Sequence, residues 1–184
     1  MRRPTRLTVR VRRTLLLTGA LLLGAVAARA QTAKGGKIDP TWLRTDAASK
    51  TVDFKLVAGL TNNNGGMNFN GFGRGGLVLT VPQGWTVALH FKNEDPNLPH
   101  SVEVIPEAAA IPTGPVPPAF EHATTGRLEQ GFSTGQGAEI RFAAAKAGSF
   151  LIFCAVPGHG AAGMWIRLAV SEATGTPALA TTER

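Results

Sequence analysis

One loop of this chain carries three side chains that transition metals favour as ligands. Cys154, His159 and Met164 follow one another at intervals of five residues, and Cys154 is the only cysteine. Thiolate, imidazole and thioether together suit copper, because Cu(I) prefers sulfur and Cu(II) prefers nitrogen. With four histidines and three methionines in 184 residues, chance would produce this spacing on the order of 4 times in 10,000. The spacing therefore predicts a copper-binding loop.

Two strands and a distant histidine complete the predicted site. Apolar runs at residues 148–153 and 165–170 flank the loop, and each is typical of a short buried strand. His100 lies where another loop enters a strand that contains Val104. Two imidazoles and a thiolate in one plane, with a long axial thioether, define a blue-copper electron-transfer site. The predicted copper ligands are His100, Cys154, His159 and Met164.

The remaining elements that must position these ligands are also short strands. Apolar and polar residues alternate in several segments that are separated by turn residues, and residues 105–135, with five prolines, predict a long connection. Seven or eight short strands without a helical period predict an all-β fold, a β-sandwich in a single domain. The further strands are predicted at residues 52–58, 77–81, 85–92, 102–104 and 138–143.

The first thirty residues have the pattern of an export signal. Residues 1–14 carry six arginines and no acidic residue, residues 15–28 are apolar, and Ala28-Arg29-Ala30 follows. Fourteen apolar residues are fewer than the about 20 that span a bilayer. We predict a signal peptide at 1–30 that is cleaved, a polar tail at 31–50, the β domain at 51–172 and a flexible tail at 173–184. The protein is then periplasmic or otherwise extracytoplasmic, and a retained leader would associate it with the membrane.

Charge and cysteine content narrow the function further. The chain has 19 basic and 12 acidic residues, but seven of the basic ones lie in the leader. The predicted mature part is neutral overall, so nucleic acid is excluded as a partner. A single thiol is unusual in an oxidising compartment. Copper would explain it, because a coordinated thiol is deprotonated and shielded.

Two alternatives use the same residues differently. A hydrolytic enzyme could use Cys154 as nucleophile and His159 as base, but that assignment leaves Met164 unexplained and no oxyanion hole is recognisable. We therefore predict no catalytic residues. His90 and His122 are predicted to lie at the surface rather than in a second metal cluster. A copper storage or delivery protein of the same fold stays open as an alternative.

The ligand pattern and the four segments around it resemble the cupredoxins with mononuclear type 1 copper, and among them the sulfocyanins. These segments are residues 69–71, 82–85, 98–101 and 157–165, and the resemblance covers most of residues 51–171. It implies a Greek-key β-sandwich, one type 1 copper per chain and a monomeric electron carrier, not an enzyme. Such a carrier would shuttle single electrons in a respiratory chain, with cytochromes or a terminal oxidase as redox partners.

Two residues near the ligands are expected to support the site. Ser101 is expected to donate a hydrogen bond near the Cys154 sulfur, and Asn93 to tie the two ligand loops together. The small apolar residues on either side of His159 predict a patch that a redox partner could approach closely and leave quickly, as weak electron-transfer encounters require. This His159 patch consists of Pro157, Gly158, Ala161 and Ala162.

Overall fold

Nine strands make up the framework of residues 36–182, the part of the chain that this computed structural model describes. All of these residues belong to one compact unit, and the predicted signal peptide lies outside them. The strands are β1 (Leu43–Asp46), β2 (Thr51–Ala58), β3 (Leu77–Pro82), β4 (Thr86–Asn93), β5 (Glu103–Pro106), β6 (Gly137–Ala143), β7 (Gly148–Phe153), β8 (Trp165–Ser171) and β9 (Ala178–Thr181).

The strands form two sheets, as the sequence predicts. One sheet has the order β1-β2-β4-β6 and the other β5-β7-β8-β3-β9. From β4 to β7 the chain crosses from one sheet to the other at every connection, and the pairs β2–β4 and β3–β8 are parallel. This is the Greek-key β-sandwich of the prediction. The only other regular pieces among the described residues are short 3-10 turns at Pro40–Trp42 and Asn63–Gly66.

The core lies between the two sheets and follows the alternation seen in the sequence. In β2 every second residue is completely buried, β8 and residues 77–81 of β3 bury every second residue in the same way, and β4 buries Val87, Leu89 and Phe91. Side chains that alternate along a strand point to opposite faces, so each sheet offers one apolar face to the other. Each fully buried large apolar side chain contributes about 1.5–3 kcal/mol. This rigid core carries the loops described below.

Both predicted tails contain strands, which corrects the expected boundaries of 51–172. Within the polar tail, β1 pairs with β2, and Trp42 packs edge-on against Phe72 with ring centroids 6.4 Å apart. Within the flexible tail, β9 pairs with β3, and half-buried Leu179 packs against the core. Both are short outer strands that cover an otherwise unpaired neighbour, and their own residues show too little alternation to predict a strand.

The described residues contain no helix that is long and apolar enough to cross a membrane.

Candidate metal centre

The Cys154–Met164 loop is a closed turn between β7 and β8. Phe153 pairs with Trp165 at the ends of these strands, and the Cys154 N–H donates to the Met164 carbonyl at 3.0 Å. Inside the loop the Met164 N–H donates to the His159 carbonyl, also at 3.0 Å. Gly163 has a φ of +107°, which favours glycine over any other residue. The backbone therefore holds the three predicted ligands of this loop in fixed relative positions.

His100 reaches the same end of the sandwich from the loop that follows β4. Its N–H and carbonyl pair with Phe132 in an isolated bridge, at 3.1 and 2.8 Å. The side chain is completely buried. The long connection between β5 and β6 thus covers one side of His100, and the β-sandwich places it beside a cysteine 54 residues away.

Three ligand atoms converge at this point. The Nδ1 atoms of His100 and His159 lie 3.2 Å apart, and the Cys154 Sγ lies 3.8 Å from the first and 3.6 Å from the second. A metal about 2.0 Å from each nitrogen and about 2.3 Å from the sulfur would separate three donors in a plane by roughly 3.5–3.7 Å. The triangle formed by the Nδ1 atoms of His100 and His159 and the Sγ of Cys154, here called the donor triangle, is therefore the right size for a single ion. Its two nitrogens and one sulfur fit copper.

In the metal-free protein, burial determines whether each of the three donor groups carries a proton. Burial lowers the pKa of His100 and of His159, which favours neutral imidazoles at neutral pH, and the neighbouring His100 lowers the pKa of His159 further. Burial raises the pKa of the Cys154 thiol to about 11. Binding of copper must then displace the thiol proton. A buried thiol with a raised pKa is a poor nucleophile, which counts against the hydrolase alternative.

Met164 lies at the end of the loop, where its carbonyl accepts from the backbone N–H of Cys154. It is completely buried and belongs to the main apolar core. Its two backbone hydrogen bonds, to Cys154 and His159, join it to two members of the donor triangle. Its assignment as axial ligand stays a prediction.

Ser101 donates a hydrogen bond to the Cys154 sulfur, whereas the contacts of Asn93 differ from the expected ones. The backbone N–H of Ser101 points at the Cys154 Sγ at 3.5 Å, while its hydroxyl donates to the Leu128 carbonyl at 2.8 Å. The Asn93 side chain donates to the carbonyls of Leu98 and Phe132, each at 2.8 Å. Asn93 therefore ties the loop before His100 to the β5–β6 connection, and not to the Cys154–Met164 loop as expected.

Asp95 is a buried residue of the site that the sequence analysis missed. Its Oδ2 lies 3.2 Å from the Nε2 of His100, and it is 2% exposed. Burial raises its pKa, but hydrogen bonds from Asn97, Leu98 and His100 outweigh burial and leave the pKa below its ordinary value. Its sequence context, Asn-Glu-Asp-Pro-Asn, is typical of an exposed turn, so only its position five residues before His100 could have drawn attention to it.

Two residues of the β2–β3 connection hold the ligand loop from outside. The guanidinium of Arg74 donates to the Ala162 carbonyl at 2.9 Å, and the backbone N–H of Arg74 donates to the Gly163 carbonyl at 2.8 Å. Asn64 donates to the same Ala162 carbonyl at 3.2 Å. Nothing in the local sequence indicates these contacts, because they join residues about 90 positions apart.

The other two histidines lie at the surface, as predicted. His90 is 41% exposed and pairs with Asp53 at 2.8 Å, and His122 is 78% exposed. Within residues 36–182, the donor triangle is the one group of three or more histidine, cysteine or acidic side chains close enough to share a metal ion.

Comparison with known proteins finds a family model, a relative and solved structures that are similar to this chain. The model of the sulfocyanin (SoxE) domain matches residues 39–181. Sulfocyanin from Sulfolobus acidocaldarius is 31% identical over 138 residues, which cover 71% of this chain and 69% of the relative. Among solved structures, a rusticyanin variant is 21% identical, with a TM-score of 0.48 over 71% of this chain and 87% of its own. Auracyanin A from Chloroflexus aurantiacus, described as a "blue" copper protein, is 21% identical, with a TM-score of 0.47 over 66% of this chain and 99% of its own.

Proposed function

Because this chain belongs to the sulfocyanin family of cupredoxins, we propose that it binds one type 1 copper and carries single electrons. The proposed ligands are His100, Cys154, His159 and Met164. The observation that carries the proposal is the convergence of two Nδ1 atoms and one Sγ, all within 4.8 Å of one another. Bound copper supplies a couple that accepts and releases one electron.

The chain's own contribution is to hold the donors still. His100 follows β4, Cys154 follows β7 directly, and backbone hydrogen bonds close the Cys154–Met164 loop. A fixed set of two nitrogens and two sulfurs suits both Cu(I) and Cu(II). Because the donors do not need to move when the charge changes, little reorganisation opposes the transfer of an electron.

The same geometry supports His159 as the residue through which the electron enters and leaves. His100 and Cys154 are completely buried, whereas His159 is partly exposed. Around it, Pro157, Gly158 and Ala161 are exposed, and none of them carries a charge. The His159 patch would therefore permit a brief, close encounter with a redox partner.

The setting of this activity is proposed from the family and from the leader. We propose that residues 1–30 direct export and are removed, so that the protein acts as a monomer outside the cytoplasm, in the periplasm or an equivalent space. Cytochromes or a terminal oxidase of a respiratory chain are the proposed partners. A leader that is retained would hold the protein at the membrane.

The rate of electron exchange, compared with the rate of copper exchange, tests this function. A carrier should exchange electrons between its oxidised and reduced forms rapidly and release copper slowly to a chelator. Fast release of copper with slow electron exchange would contradict the proposal and favour copper delivery.

A pair of lysine variants tests whether the electron leaves through the His159 patch. Ala161→Lys places a charge in the His159 patch and should slow electron self-exchange, because two patches of like charge must meet. Ala145→Lys is the matched control, since Ala145 is also exposed and follows the end of β6 that pairs with Thr86, away from the His100 loop. Equal slowing by both variants would contradict the role of the patch.

A further inference from the structure

We infer that Asp95 is a positioning residue that fixes the ring orientation and the proton position of His100, so that its Nδ1 is free to bind copper. The inference rests on the proposed function. Asp95 Oδ2 and His100 Nε2 are 3.2 Å apart, and the two side chains are 3% and 0% exposed. Few groups of this polarity are buried so completely without a specific partner.

The Asp95 carboxylate is itself held from several directions. Its Oδ1 accepts the N–H groups of Asn97 and Leu98 at 2.8 and 3.0 Å. Its backbone N–H donates to the Asn93 side chain at 2.9 Å. With one oxygen committed to the turn, only Oδ2 is free to face the imidazole, and the turn determines its direction.

Two glycines make room for this carboxylate. Gly59 and Gly66 have φ values of +66° and +87°. A Cβ on Gly66 would collide with the Asp95 Oδ2, and a Cβ on Gly59 would collide with the Asp95 backbone. The β2–β3 connection thus packs bare backbone closely against Asp95 and its carboxylate.

The chemistry of the pair determines the tautomer. A carboxylate only accepts hydrogen bonds, so the Nε2 of His100 must donate. A neutral imidazole has a single N–H, and the Nδ1 therefore carries a lone pair. The Nδ1 atom of His100 lies 3.2 Å from the His159 Nδ1 and 3.8 Å from the Cys154 Sγ, so its lone pair is beside the other two donors. Such carboxylate–histidine pairs orient metal ligands and make them stronger donors.

The variant Asp95→Asn removes the carboxylate that determines the His100 tautomer and changes the shape of the side chain little. If the amide oxygen accepts from Asn97 and Leu98, its NH2 group faces the Nε2 of His100, which must then accept. The ring proton would move to Nδ1, the atom that binds copper. If the amide is turned around, its NH2 group instead faces two N–H donors. Both orientations disfavour the copper-bound state.

Copper affinity measures this effect. We expect Asp95→Asn to weaken Cu(II) binding about 10- to 100-fold, the usual cost of losing such a partner. Titration against competing chelators gives the affinities for Cu(II) and Cu(I). Each tenfold loss that is specific to Cu(II) raises the reduction potential by about 59 mV for a one-electron couple. The matched control is Asp53→Asn, which alters the Asp53–His90 pair at 2.8 Å outside the site and should change neither quantity.

Nitrogen-15 NMR of the metal-free wild-type protein tests the tautomer directly. We expect a proton on the Nε2 of His100 and none on the Nδ1. A proton on Nδ1 would overturn the inference, as would an Asp95→Asn variant with wild-type copper affinity or an equal loss in both aspartate variants. If Asp95→Asn does not fold, the wild-type NMR result decides. If the wild type binds copper without a blue site, the proposed function fails, while the NMR result still reports on Asp95.

Discussion

The side-chain amide of Asn93, which is itself completely buried, makes three hydrogen bonds that hold the loop before His100. It donates to Leu98 and Phe132 at 2.8 Å each and accepts from the Asp95 N–H at 2.9 Å. Asn93→Ala removes all three. At about 1 kcal/mol for each bond, the free energy of unfolding of the metal-free protein should fall by about 3 kcal/mol.

Asn68 offers a matched control for this change. It is also completely buried and also makes three hydrogen bonds, to Thr61, Asn63 and Gly71, at 2.8–3.0 Å. Asn68→Ala should therefore lower the free energy of unfolding by a similar amount, about 3 kcal/mol. It leaves the Asn93 hydrogen bonds to the loop before His100 in place, so copper affinity should fall far more in Asn93→Ala.

Urea unfolding of the metal-free variants and chelator competition for copper separate the two effects. The expected result is an equal loss of stability, with a copper affinity about 10-fold or more lower in Asn93→Ala than in Asn68→Ala. Two results would refute the reasoning. One is an Asn93→Ala variant as stable as the wild type, and the other is an equal loss of copper affinity in both variants.

Three further predictions concern other parts of the molecule. Burial raises the pKa of Glu103 above its ordinary 4.5, so its contribution to stability is present below that value and lost as pH rises through the raised pKa. Glu103→Gln should therefore gain stability over the wild type as urea unfolding is moved from acid to neutral pH, whereas a difference in stability that does not change with pH would contradict this. Met164→Leu should keep the blue colour and raise the potential in a redox titration, because Cu(II) loses a donor; an unchanged potential argues against axial ligation. Removal of residues 177–184, which include half-buried Leu179, should lower the free energy of unfolding by about 2 kcal/mol and leave the copper spectrum intact, and unchanged stability would show that β9 does not form.

The Cys154–Met164 loop could be predicted from the sequence because its information is local. Three ligand types at fixed spacing lie between two apolar strands, and the structure confirms both strands. His100 is harder to find by spacing alone, since the β-sandwich brings it to Cys154 across 54 positions. Its place where a loop enters a strand indicated this link, and the resemblance of residues 98–101 to the sulfocyanins supports it.

Asp95, Arg74 and the outer strands could not be predicted, for a common physical reason. Their roles depend on contacts with distant parts of the chain. Gly59 and Gly66 bury Asp95, and Arg74 meets a carbonyl 88 positions away. Likewise β1 and β9 exist because β2 and β3 offer unpaired edges. An Asp-Pro turn and a short alanine-rich segment carry no such information by themselves.

The visible and EPR spectra of the Cu(II)-loaded protein test the central claim most directly. The account predicts one copper per chain, an intense charge-transfer absorption from the Cys154 thiolate and a narrow copper hyperfine splitting, all lost in Cys154→Ser. A protein that binds Cu(II) without colour and with an ordinary wide splitting would contradict the blue-copper assignment.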